Sequence, residues 1–173
     1  METKQYNEQE YETLRDEIIQ RIDIRQQLIY TTITLSGVIM GFGIDTSNLS
    51  FIYPPLALAI ALMWAQNDLR ALQISDYLQS FENDSTKLGW ITYYKKVQGK
   101  SSFKIGWPVS ILGPGSMFIL TSIMSIGIGL SNFNCSLLSW SLLILDLLAL
   151  IGIILILLLS KKQRVSRRVQ KNQ

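Results

Sequence analysis

Four apolar stretches, at residues 28–44, 51–66, 109–130 and 136–159, divide this chain so that every Lys and Arg falls into segments sharing one side of a membrane. Each stretch is close to the roughly 17 to 25 residues that a hydrocarbon core of about 30 Å requires, the second being the shortest. The sixteen basic residues are distributed as 4 in 1–27, none in 46–50, 6 in 67–108, none in 131–135 and 6 in 161–173. Short loops rich in Lys and Arg remain in the cytoplasm. The N-terminus, the central segment and the tail are therefore expected to be cytoplasmic.

Composition narrows the chemistry. The chain has 173 residues, no His and one Cys, Cys135, and neither a GxxxxGK[ST] nor a GxGxxG phosphate loop. Without His or a clustered set of acids there is no evident general base, so no enzyme activity, cofactor or metal site is expected. Cys135 lies in an expected outer loop and reads as a bystander thiol. Residues 1–18 are acidic and polar where a signal peptide would be basic and then apolar, so no cleaved leader is expected.

The expected fold is all-α: a four-helix transmembrane bundle whose first two helices extend into a cytoplasmic antiparallel stalk. Residues 1–27 form the stalk, 28–159 the transmembrane domain with the cytoplasmic segment 67–108, and 160–173 a basic tail. Tyr11, Leu14, Ile18, Ile22 and Ile29 follow helical spacing into the first span, with no Pro from residue 10 to 44. The second span continues to residue 81 with Leu72, Tyr77 and Leu78 as an apolar stripe. A tight turn at 45–50 would set Arg21 and Arg25 beside Asp68 and Arg70. That cluster reads either as a solvated face of weak surface pairs or as a buried polar junction, and low exposure of Asp68 and Arg25 favours the second.

Within the lipid, Gly37 and Gly41 form a GxxxG pair and Ser125 and Gly129 repeat the spacing, small faces that permit close helix packing inside one chain or between subunits. Asp146 is expected near the bilayer centre, at a cost of about 2.5–3.5 kcal/mol on an insertion scale. It needs a partner or a proton, and the candidates are Thr31, Thr34, Ser122, Ser125, water or a symmetry-related Asp146. Gly106, Trp107, Pro108, Gly113, Pro114 and Gly115 argue against one regular helix beginning near residue 107 and for a kinked start. Residues 89–96 mix rings with lysines, as suits an element on the inner headgroups or a protein contact. Lys161, Lys162, Arg164, Arg167 and Arg168 follow the last span and suit anionic lipid, at about 1 kcal/mol per residue. The tail has no aromatic residue to stack on bases, so nucleic acid is not an expected partner.

The stretches LRDEI (14–18), RIDIRQQLI (21–29), TLSGVIMGFGI (34–44) and YPPLALAIALMWAQNDLRALQISDYL (53–78) resemble a family of small bacterial four-span membrane proteins. The resemblance covers the first hairpin and implies a topology in a bacterial inner membrane, without implying an activity. The architecture is also similar to membrane components of anti-phage defence systems, which disrupt membranes or anchor a cytosolic protein. The expected function is that of a non-enzymatic homo-oligomer in contact with membrane lipids. It would be a membrane anchor or pore-forming effector with a cytosolic protein partner at the stalk. The alternative is a small constitutive channel or transporter using Asp146 and the break at 113–115.

Overall fold

The computed structural model describes the backbone of residues 2–44, 47–84, 106–131, 133 and 135–170, and the side chains of 9–44, 48–78, 113–131, 133 and 135–163. All regular structure among these residues is helical. The elements are α1 (Glu2–Gly43), a single turn α2 (Ser47–Ser50), α3 (Tyr53–Asp84), α4 (Gly106–Ser131) and α5 (Leu137–Gln170). The ring-and-lysine segment 89–96 lies outside the described residues.

Local chemistry explains the element ends. The α3 helix opens on Tyr53-Pro54-Pro55, and prolines are tolerated in a first turn because those N–H groups have no intrahelical acceptor. Just before it, the Ile52 N–H donates to the Leu49 carbonyl at 3.1 Å and closes the turn. Ser136 caps α5, its hydroxyl accepting the Ser139 N–H at 3.2 Å while its carbonyl accepts that of Trp140 at 3.2 Å.

The expectation that no single helix begins near residue 107 is corrected by α4, which runs unbroken from Gly106 through Pro114. A proline removes one backbone bond of many, which a helix of this length tolerates. Gly115 is where a neighbour comes close, since a Cβ there would lie 2.8 Å from a Leu157 methyl group.

Three segments are long and apolar enough to cross a membrane: Asn48–Leu78, Gly113–Ser131 and Leu137–Gln163. The apolar end of α1 falls short of that standard, because Thr31, Thr32, Thr34, Ser36 and its glycines dilute Leu, Ile and Val.

The chain divides into two compact units, one built from Met1–Gln26 and Gln66–Gly106, the other from Gln27–Ala65 and Trp107–Gln173. In the second unit Tyr53, Ala57, Ile60, Ala61, Trp64 and Ala65 of α3 form a core with Phe118 and Ile153, flanked by Leu28, Ile29, Leu35, Ile39 and Met40. Contacts set the register. Asn48 meets Ser139 and Leu58 meets Gly152, so α3 and α5 run parallel. Trp64 meets Phe118 and Phe51 meets Gly129, so α4 runs antiparallel to both. Phe133 closes one end of this unit, edge-on to Phe51 at 6.2 Å and to Trp140 at 5.3 Å.

The second unit inverts the usual distribution of polarity. Its buried positions include Thr32, Ser36, Ser122, Ser125, Ser139 and Asp146, while large apolar residues such as Phe42, Leu120, Leu148 and Leu158 are exposed. In water such an exterior would be a large aggregating patch.

Candidate functional site

Each unit buries one carboxylate, and the two have opposite surroundings. In the first unit Asp68 is 1% exposed and accepts a 2.7 Å ion-paired hydrogen bond from Arg25, which keeps about a quarter of its side chain in solvent. One turn earlier on α1, Arg21 pairs with Glu17 and reaches the Asn67 side-chain oxygen at 3.2 Å. The helical repeat creates this arrangement: Arg21 and Arg25 are four apart on one face of α1 and meet the consecutive pair Asn67 and Asp68. Tyr77 donates to Glu10 at 3.2 Å farther along the same unit. Arg70 is exposed and stands apart from the buried group. With Gln66, Leu69 and Gln73 it lines an open groove of about 390 Å³.

In the second unit Asp146 is 0% exposed, and neither carboxyl oxygen has a hydrogen-bond partner among the described residues. It belongs to a buried seam on α5 made of Ser139, Asp146, Ala149, Ile153 and Ser160, spaced seven, three, four and seven apart. Such spacing places them along one line of a helix. The Gly115–Leu157 contact sets the level. Eleven residues back along α5 is about 16 Å, which on antiparallel α4 brings Asp146 level with residue 126, close to Ser122 and Ser125.

Most hydroxyls on that level are already committed, the buried Ser50 hydroxyl being the exception. Ser122 donates to the Phe118 carbonyl at 2.7 Å and Ser125 to the Ser50 carbonyl at 2.6 Å. Tyr53 donates to Thr121 at 2.7 Å, and Thr121 donates onward to the Met117 carbonyl at 2.7 Å. On α1, Thr32 and Ser36 bond back to the Leu28 and Ile33 carbonyls at 2.7 and 2.8 Å. A hydroxyl has one proton to donate, so none of these is left for Asp146.

The other sequence-derived candidates are placed as follows. Thr31 and Thr34 are exposed, and it is Thr32 and Ser36 that face inward. Gly37 and Gly41 are also exposed, and a Cβ at either would meet nothing within 4 Å. Ser125 and Gly129 are buried, with the Phe51 ring 2.6 Å from a Cβ added at Gly129. Lys161 and Lys162 are exposed on α5; the side chains of Arg164, Arg167 and Arg168 lie outside the described residues. Tyr53 and Trp64, which the sequence analysis does not single out, are both fully buried. The alternation of Tyr53, Ala57, Ile60, Ala61 and Trp64 at helical spacing was the signal that could have identified them as core.

Among the described residues no group of three or more His, Cys, Asp or Glu could hold a metal ion. Comparison of the chain with protein-family models, curated proteins and solved structures finds no match.

Proposed function

We propose that the chain is a non-enzymatic, homo-oligomeric protein of a bacterial inner membrane. It crosses four times with both termini cytoplasmic, and serves as the membrane anchor or permeabilising effector of a cytosolic partner. The observation that carries this reading is the contrast in exterior. The second unit turns large apolar side chains outward and hydroxyls inward, whereas the first exposes charged and amide side chains such as Arg70 and Gln73.

Lipid accounts for the first pattern, since helices in a membrane associate through small residues and hydrogen bonds. The end of α1 supplies the fourth crossing, its thinner hydropathy reflecting the inward Thr32 and Ser36 and the open Thr31, Thr34, Gly37 and Gly41. Tyr30, Thr34, Gly37 and Gly41 lie on one face of α1 left open within the chain, which supports contact with a second subunit. The groove beside Arg70 suits a cytosolic partner with acidic side chains. The role agrees with the architectural likeness to anti-phage membrane components.

Two measurements test the reading. An impermeant maleimide applied to intact spheroplasts should label exposed Cys135 from the outside, and labelling only after lysis overturns the topology. Ion leakage from liposomes carrying the full chain separates the two roles. A permeabilising effector leaks when its partner engages and changes with Asp146→Asn, whereas an anchor never leaks and loses recruitment on Arg70→Glu.

A further inference from the structure

We propose that Asp146 is a proton-binding site that sets how tightly α5 is held to α3 and α4, so that losing the proton opens the seam to water. The inference deepens the membrane reading above and rests on it.

Three observations carry it. First, the carboxyl is fully buried and among the described residues no donor reaches either oxygen, the nearby Ser122 and Ser125 hydroxyls being spent on backbone carbonyls. An ionised carboxylate accepts hydrogen bonds only, and this place offers it none. Second, no counter-charge faces it. In the second unit α1 contributes Tyr30 alone, exposed; α2 and the described part of α4 contribute no titratable residue; and α3 contributes Tyr53, whose proton is given to Thr121. On α5 itself the nearest charges are Lys161 and Lys162, about 22 Å away along the helix and exposed. Charge at Asp146 can be met only by water entering from outside.

Third, α5 is the element least able to resist that entry. Only 17% of its spanning window is buried, against 50% for the segment containing α3. Its fully buried residues form the one line from Ser139 to Ser160, flanked by the partly buried Ile156 and Leu157, and Asp146 stands inside that line. When the neutral acid ionises, its O–H bond breaks, the proton passes to the entering water and the electron pair stays on the carboxylate. The seam then favours the separated, hydrated arrangement, and protonation closes it again.

Thiol access tests this directly. Ala149 is 3% exposed in the seam and Ala57 is fully buried on α3. Full chains carrying Cys135→Ser with Ala149→Cys are reconstituted in lipid, and the rate of modification by a small methanethiosulfonate is measured with Asp146 present and with Asp146→Asn. The ratio of the two rates cancels the thiol's own pH dependence. It should rise with pH, by up to about tenfold per pH unit for one proton per chain. A ratio that stays flat from about pH 5 to about pH 9 overturns the proposal.

Should Asp146→Asn prevent folding, Ala149→Cys is compared with Ala57→Cys in the chain that keeps Asp146. Acceleration confined to Ala149→Cys supports the proton site, and equal pH dependence at both overturns it. Leakage and recruitment play no part in this measurement, so a flat ratio removes the proton site while leaving the membrane role standing. Fast modification at every pH in both backgrounds removes the buried seam and the membrane reading with it.

Discussion

Asp68 and Asp146 are equally hidden from solvent, 1% and 0% exposed, yet one has an arginine at 2.7 Å and the other has no partner. The contrast teaches that burial alone does not define what an acid does. Asp68 sits where two helices each bring polar side chains, so its charge is matched where it is made. Asp146 sits level with Ser122 and Ser125, whose hydroxyls are given to backbone carbonyls, and among the described residues neither of its oxygens has a partner. The first arrangement holds helices together as an ion pair. The second is compatible with tight packing only while the carboxyl is neutral.

Substitutions can break or sharpen that contrast. The largest effect is expected from Arg25→Ala, which removes the 2.7 Å ion pair of buried Asp68 and should destabilise the chain by about 3–5 kcal/mol. The loss is read from denaturant unfolding followed by helical circular dichroism, and adding Asp68→Asn should restore much of it. Asp146→Leu should act in the opposite direction, raising stability in lipid by up to about 3 kcal/mol, the insertion cost of the acid. If the two acids responded alike, the distinction between them would be lost.

Smaller effects test the packing around each. Gly129→Ala places a methyl group 2.6 Å from the rigid Phe51 ring and should cost about 1–3 kcal/mol through overpacking. Gly37→Ala meets open space, so the same measurement on isolated chains should show little change while self-association, followed by cross-linking yield, falls. Tyr53→Phe removes the hydrogen bond to Thr121 and should cost only about 0.6 kcal/mol, a typical value for such bonds in membranes.

Much of the helical layout was legible because it depends on local sums. The apolar runs at 51–66, 109–130 and 136–159 lie within helices but for a residue or two at their starts. The unbroken α4 start was not legible because five Gly and Pro residues count as local breakers, while the close Leu157 contact at Gly115 is set by a neighbouring helix. The second misreading concerned phase. Thr31 and Thr34 were named where Thr32 and Ser36 are buried, because one residue turns a helix by about 100° and spacing alone gives no origin for that rotation. Tyr53 and Trp64 reach the core because the small residues Ala57, Ala61 and Ala65 on α3 leave room for both.

The sequence by itself determined an all-helical chain, the segments apolar enough to cross a membrane, and the presence of a lone acid far from any basic residue along its own helix. These follow from composition summed over short windows. Only the tertiary structure decided which buried acid would have a counter-charge, which hydroxyls would be spent on carbonyls, and which glycines would face a neighbour or open space. Each of those depends on the rotation and register of one helix against another, and a side chain's partners are chosen there rather than along the chain.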